Sequence, residues 1–384
     1  AGIEFLSQNS GQLSLDNATL SGNAAGAGGA IAASGVLHVA NSTISANTAV
    51  VDGAGIYASG TLTVDASLIA GNHQDAANMD AGLISGGGGI ACLFCADVEI
   101  RDSIVADNSA AGLGGGGVAL LASVGSIQRT RISGNSVTGP VVTQSGVEYG
   151  SGGGVAIGTY LGYTMSVRIA DSAIYANSAA TSGGGIAIAD AIVLAIDNTM
   201  VSTNHAGVRG GGIGDAGTSA NLANTTVAGN QAPRGAGIDI GKYTDSNNTT
   251  TVGSARFTNS IVGANSGSSD CFSDGGSIVA NASSLLQTDA PTSNACDDLS
   301  GQHFMLRADP HLSPLGAHGG PDWSQIPLAG SPVIDAGDNT LIPAGTPYDQ
   351  RGTGYARIAN GHVDLGAIET GSNDVIFRNG FDLH

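Results

Sequence analysis

The chain predicts an all-β solenoid, a single-stranded parallel β-helix of about nine to eleven turns closed by a C-terminal cap. Three observations carry that expectation. One unit, GGGIAIADAIVLAIDNTMVSTN at 183–204, recurs in the same order through the first 265 residues. The 62 glycines fall in register with that unit and accompany an apolar fraction of 41%, so they mark bends in a packed chain and not disorder. Within each unit, large apolar residues keep the period of two that belongs to a strand.

Nine asparagines anchor the repeat: Asn23, Asn47, Asn72, Asn108, Asn135, Asn177, Asn204, Asn230 and Asn265. Where nothing is inserted they lie roughly 24 to 27 residues apart, one solenoid turn. Three residues before each stands an aliphatic residue, from Leu20 and Ile44 to Val227 and Val262. Eight before stands another large apolar residue, from Leu15 and Val39 to Leu222 and Phe257. Positions ten and eight before the anchor share a parity and face one way from a strand, but position three has the opposite parity. The chain must therefore bend between them. At that place, six before the anchor, seven of nine residues are Asn or Asp (Asn17, Asn41, Asp102, Asp171, Asn198, Asn224 and Asn259), the exceptions being Ala66 and Arg129. Asn and Asp tolerate left-handed backbone angles, as a bend there requires. After each anchor a glycine cluster such as GGGI at 183–186 leads into a third short strand. Stacked anchors predict an asparagine ladder along the column.

Composition bounds the function. A net charge of −19, with Lys242 as the single lysine, argues against nucleic acid, anionic membrane and polyanions as main partners. No apolar run is long enough to span a membrane, and no signal peptide is visible, since the chain opens inside a repeat. Cys271 and Cys296 are one turn apart, which favours a disulfide between adjacent levels. Cys92 and Cys95 form a CxxC without a second one; a local disulfide is the first expectation, with free thiols and metal behind it. Both pairs indicate an oxidising, extracytoplasmic compartment.

Departures from the repeat are where function could be grafted. Insertions follow Asn72 and Asn135, the second containing Tyr149; a third, at 158–165, carries Tyr160 and Tyr163; a fourth, at 241–253, is polar. The first two leave the same corner and are expected to project along one edge. Arg129 and Arg131 are expected to point the same way from one strand, with Arg168 beginning the corresponding strand of the next turn. These arginines and tyrosines form the candidate ligand edge, tyrosines stacking on sugars and arginines pairing with carboxylates, against the plainer reading of a solvated face. An end-to-end fibre is a further alternative, since the N-terminal end at Gly2–Leu6 is uncapped.

Enzyme chemistry finds less support. A lyase needs carboxylates around calcium with a cationic base, yet Asp102 and Asp171 occupy bend positions that elsewhere carry Asn. A hydrolase needs two facing carboxylates, and no such pair is legible on the column, so no catalytic or metal-binding residue is assigned. Beyond His303 the composition shifts, with seven of the ten prolines and the only tryptophan, Trp323. Residues 303–370 are expected to cap the open core of the 1–302 column, with a tail at 371–384. Asp309, His311, His318, Asp335, Asp338, Asp349, Arg351, Asp364 and Glu369 form the densest polar set there; turn and ion-pair roles are expected, with calcium as the alternative.

Four stretches of this segment, DPHLSPLGAHGGP, LAGSPVIDAGD, DQRG and VDLGAIE, resemble the C-terminal signature of bacterial choice-of-anchor Q domain proteins. So does the upstream DCFSDGGSIVANASSLL with NACDDLSGQ. The GGAI pattern paired with the anchor asparagine is more distantly similar to repeats of polymorphic outer-membrane proteins. The resemblance implies a right-handed helix and secretion or surface display; the tail SNDVIFRNGFDLH resembles terminal segments on secreted proteins of some gammaproteobacteria, which implies a Gram-negative source. It implies no reaction. The sequence reading is thus a secreted, non-catalytic surface or adhesion protein that binds glycan or a partner cell, with a polysaccharide lyase or glycoside hydrolase as the alternative.

Overall fold

The computed structural model describes residues 2–6, 11–75, 86–112, 114–139, 143–144, 147–148, 150–158, 165–189, 192–244, 250–275, 277–278, 283–291, 294–296 and 305–371. It is a parallel β-helix. A long sheet of 19 strands, a second of 11 and a third of 7 run along one column. In the unit that defines the repeat, Ile186–Ala189 and Ile192–Asp197 belong to the long sheet, Met200–Ser202 to the second and His205–Ala206 to the third. Each stacks in parallel register on its counterparts, as Val201 does between Ile174 and Val227.

The expected inward positions are the core: Ile186, Leu194, Ile196 and Val201 have no exposed surface. A fourth inward position, two after the anchor, is usually alanine, as at Ala206. All nine residues six before the anchor have positive φ between 43° and 52°, including Ala66 and Arg129, so geometry and not side-chain identity defines the bend. A second left-handed bend, which the sequence reading missed, precedes each anchor directly and falls on residues as different as Gly22, Asp107 and Thr203. The third is glycine's own: Gly183 has φ +64°, and a Cβ on the following Gly184 would collide with the carbonyl oxygens of His205 and Gly211.

The asparagine ladder is formed. Each anchor from Asn23 to Asn230 donates both its backbone N–H and its Nδ2–H to Oδ1 of the next, the side-chain bonds measuring 2.9–3.0 Å. The second Nδ2 proton turns back to a carbonyl one level down, as from Asn72 to Ile44. Asn265 finds Oδ1 of Asp270 in place of a tenth asparagine. A second ladder, also not anticipated, runs five before the anchors through Ser42, Ser67, Ser103, Thr130, Ser172, Thr199, Thr225 and Ser260 and on to Ser284; the hydroxyls of Ser67, Ser103, Ser172, Thr199, Ser260 and Ser284 accept the backbone N–H of the level below. Buried backbone donors that a bend removes from the sheets are satisfied in this way.

Two expectations need correction. Residues 307–371 do not sit across the end of the column; they lie along its flank, on the outer face of the second sheet. Ser202 donates to Gln325, Asn198 to the Tyr348 carbonyl, and Ala367 N–H to Thr226. The reason lies in the outward residues of that sheet. From Ala173 onward they include Tyr175, Met200, Ile261 and Leu285, which pack against Leu315, Val333, Leu365 and Ala367 and are buried by this segment. Secondly, Cys271 and Cys296 form the expected disulfide, whereas Cys92 and Cys95 are buried free thiols. Cys92 faces the core from the strand Ile90–Leu93, and Phe94 turns the chain through φ +55° before Cys95, whose N–H bonds Ser123 and whose Sγ–H points to the Ala58 carbonyl.

Candidate functional site

The three candidate arginines do not form one edge. Arg129 is the bend residue itself, φ +44°, and its guanidinium is doubly paired with Asp102 at 2.6 and 2.7 Å. That hydrogen-bonded partner holds the Asp102 carboxyl below its usual range. Arg131 follows on the second sheet, where its counterpart at the next level is Ala173. Arg168 lies on the long sheet opposite Ser126 and donates to Asp197 at 2.8 Å. The expectation that Arg129 and Arg131 share a strand, with Arg168 as their successor, fails because the left-handed turn at Arg129 separates two sheets. Tyr149, Tyr160 and Tyr163 lie outside the described residues. Asp102 and Asp171 act as bend-line partners, the latter accepting from Asn198 at 2.7 Å.

Of the three arginines, only Arg131 joins a larger constellation. Where residues 307–371 first meet the second sheet, Trp323 stacks on Tyr175, ring centroids 5.8 Å apart and planes 9° from parallel. Trp323 is nevertheless 49% exposed. Asp322 accepts its neighbour's backbone N–H at 3.0 Å, and a weak 3.5 Å bond from the Tyr175 hydroxyl. Its carboxyl is 4.0 Å from Arg131 Nη1, an ion pair at the limit of contact. Burial pushes Asp322 up to about 6. The Arg131 Nε–H is buried and makes no hydrogen bond. A half-exposed indole with one side against a tyrosine, next to a guanidinium and a carboxyl able to carry a proton, is an arrangement that holds a sugar ring and one of its polar substituents. The sequence reading placed Arg131 among the candidates but not Trp323, Tyr175 or Asp322. Only the lone tryptophan hinted at the site.

Two acidic clusters lie elsewhere among the described residues. In the long sheet Asp215 takes an inward position held by Ile188 below and Ile240 above. Burial pushes it up to about 7, and its Oδ2 has no partner. Asp239, one level on, is gripped by Arg209 at 2.8 Å and Arg234 at 2.6 Å. A carboxyl that burial holds near neutrality thus lies one level from one that is paired with two arginines, but neither has exposed surface.

In the flanking segment, Asp335, Asp364 and Glu369 bring carboxylate oxygens within 4.8 Å of one another. These are the residues that would hold the calcium ion left open by the sequence. Asp364 accepts N–H groups from Asp335 and Thr370, and Glu369 those of Ala359 and Asp364 together with Arg357. Burial pushes Glu369 up to about 7, reinforced by the Asp364 charge. Every one of those bonds ties the segment to itself, the role expected for turn and ion-pair elements. Asp349 and Arg351 likewise form a buried pair at 2.6 Å. Among the described residues no helix is long and apolar enough to cross a membrane.

Comparison with known proteins finds no matching family, no matching curated protein and no matching solved structure.

Proposed function

We propose that this chain is a secreted or surface-displayed β-helix with a non-catalytic, glycan-binding role, and that the corner formed by Trp323, Tyr175, Arg131 and Asp322 is where it binds. The observation that carries the reading is the half-exposed indole, stacked on Tyr175 beside Arg131 and Asp322. Exposing the one tryptophan of the chain forgoes roughly 2 kcal/mol of burial, which a binding role accounts for. The Cys271–Cys296 disulfide supports an extracytoplasmic location, as does the resemblance of the flanking segment to choice-of-anchor Q domains.

Trp323 makes the test direct, because all tryptophan fluorescence reports on this site. A saccharide that stacks on the indole shifts and quenches the emission saturably, and Trp323→Ala, followed by calorimetry, loses the binding. A complete glycan panel that leaves emission unchanged would sink the reading. The alternative is a polysaccharide lyase or hydrolase, which release of reducing ends or unsaturated uronate from the same panel would establish instead.

A further inference from the structure

The outer face of the second sheet is clad by residues 307–371 over part of its length only. From Ala173 to Leu285 its outward side chains are buried. Over the five preceding levels, from Thr19 to Arg131, the outward residues are half-buried or exposed. The boundary between the two stretches is the corner at Arg131 and Trp323. The column therefore presents a flat strip ending against a wall.

The chemistry of the strip is specific. Ser45, Ala70 and Ala106 stand in register along one of its edges, and Leu68 and Ile104 stand in register along the other. Small side chains keep it flat, hydroxyls of Ser21 and Ser45 lie within 3.4 Å of each other along the axis, and Arg131 at the wall is its one cation. A polyanion would meet a protein of net charge −19. A helix or globular partner would need a contoured apolar groove, and this floor has only two large aliphatic residues.

The geometry points to a linear, extended polysaccharide lying along the column axis on this strip, with its end unit stacked on Trp323. The inference rests on the glycan-binding reading of the corner and extends it to chain length and direction. The fit is one of period: rungs repeat every 4.7–4.9 Å or so, close to the rise of a pyranose in a fully extended chain, so successive sugars meet equivalent floor positions. The five levels span roughly 20 Å, enough for about four or five units at one per rung. Apolar ring faces cover Leu68 and Ile104 while ring hydroxyls reach Ser45 and Ser133.

The experiment is a titration, by Trp323 fluorescence, with cello-, chito- and manno-oligosaccharides of about two to about six units, the range that the strip can hold. For the series that binds, affinity rises at least about tenfold, close to 1.4 kcal/mol, between dimer and pentamer and then levels off. Ala70→Gln, which lifts an amide above the floor away from the corner, erases that gain and leaves dimer binding unchanged. Equal affinity for dimer and pentamer, unaffected by Ala70→Gln, overturns the strip while the corner stands. No quenching by any oligomer removes the corner, and the strip with it. Displacement of a bound pentamer by an extended neutral peptide at equal concentration would mean that the strip is a peptide site, and would overturn the proposal.

Discussion

In the column, a residue such as Asn135 is held by neighbours one level above and below, Asn177 and the Val105 carbonyl, through neutral hydrogen bonds that repeat at every turn. In the flanking segment, Arg357 is held by residues that nothing in the repeat brings together: Asn198 on the column, the Gly366 carbonyl and the Glu369 carboxylate. Arg357 is among the largest fully buried side chains of the protein. The column spreads its stability over many equivalent rungs, whereas the segment adds to its apolar contacts with the column a few buried charged groups that have no equivalents elsewhere. A repeat can lose one rung and keep its neighbours; a buried ion pair that loses one partner leaves a charge stranded.

Arg357→Ala should give the largest effect. Removing the guanidinium strands Glu369 and costs about 3–5 kcal/mol. We expect the segment to leave the column while the sheets persist: tryptophan emission moves to the red, proteolysis cuts within 307–371, and far-ultraviolet dichroism changes little. Loss of the column's signal in the same transition would show instead that the two regions form one cooperative unit.

Asp215 is where the column breaks its own rule, placing a carboxyl where its neighbours have isoleucine. Its folded value, about 7, lies above the unfolded one of 3.8. The folded state thus holds a proton that the unfolded state has released. Stability from this group is complete below about pH 4 and falls as pH rises to about 7, by an amount on the order of a few kcal/mol. Denaturant titrations between those limits should show that decline, and Asp215→Asn should flatten it. An unchanged slope in the variant would assign it to Glu369, which burial also raises to about 7.

Single rungs should matter least. Asn135→Ala leaves the Asn108 N–H and one Asn108 Nδ2–H without partners, at a cost of about 1–3 kcal/mol. Ser172→Ala in the hydroxyl ladder removes one acceptor for Thr130 N–H and should cost about 1 kcal/mol. If either matched Arg357→Ala in chemical denaturation, the contrast between distributed and concentrated stability would fail.

The repeat was legible because its physics is local. Parity around Asn204, the bend at Asn198 and the glycines before Ile186 each follow from a few consecutive residues, and repetition of those signals fixes register, core and ladder together. The hydroxyl ladder was equally legible, in Ser42, Ser67, Ser103 and Thr130, and was missed because the bend residue beside it drew the explanation. The three arginines were legible as charges but not as neighbours. A single left-handed residue at Arg129 sends Arg131 to another sheet, and each guanidinium then meets an aspartate from another part of the chain.

What the sequence determined by itself is therefore the column: which side chains face inward, where the chain bends, and which asparagines stack. Only the tertiary structure decided that residues 307–371 lie along the flank, that Cys92 and Cys95 remain thiols, and that Trp323 meets Tyr175 and Arg131. Those contacts join positions about 150 residues apart, such as Tyr175 and Asp322. No periodicity connects such positions. They are selected by the apolar surface that the folded column leaves uncovered, and that surface exists only once the turns have stacked.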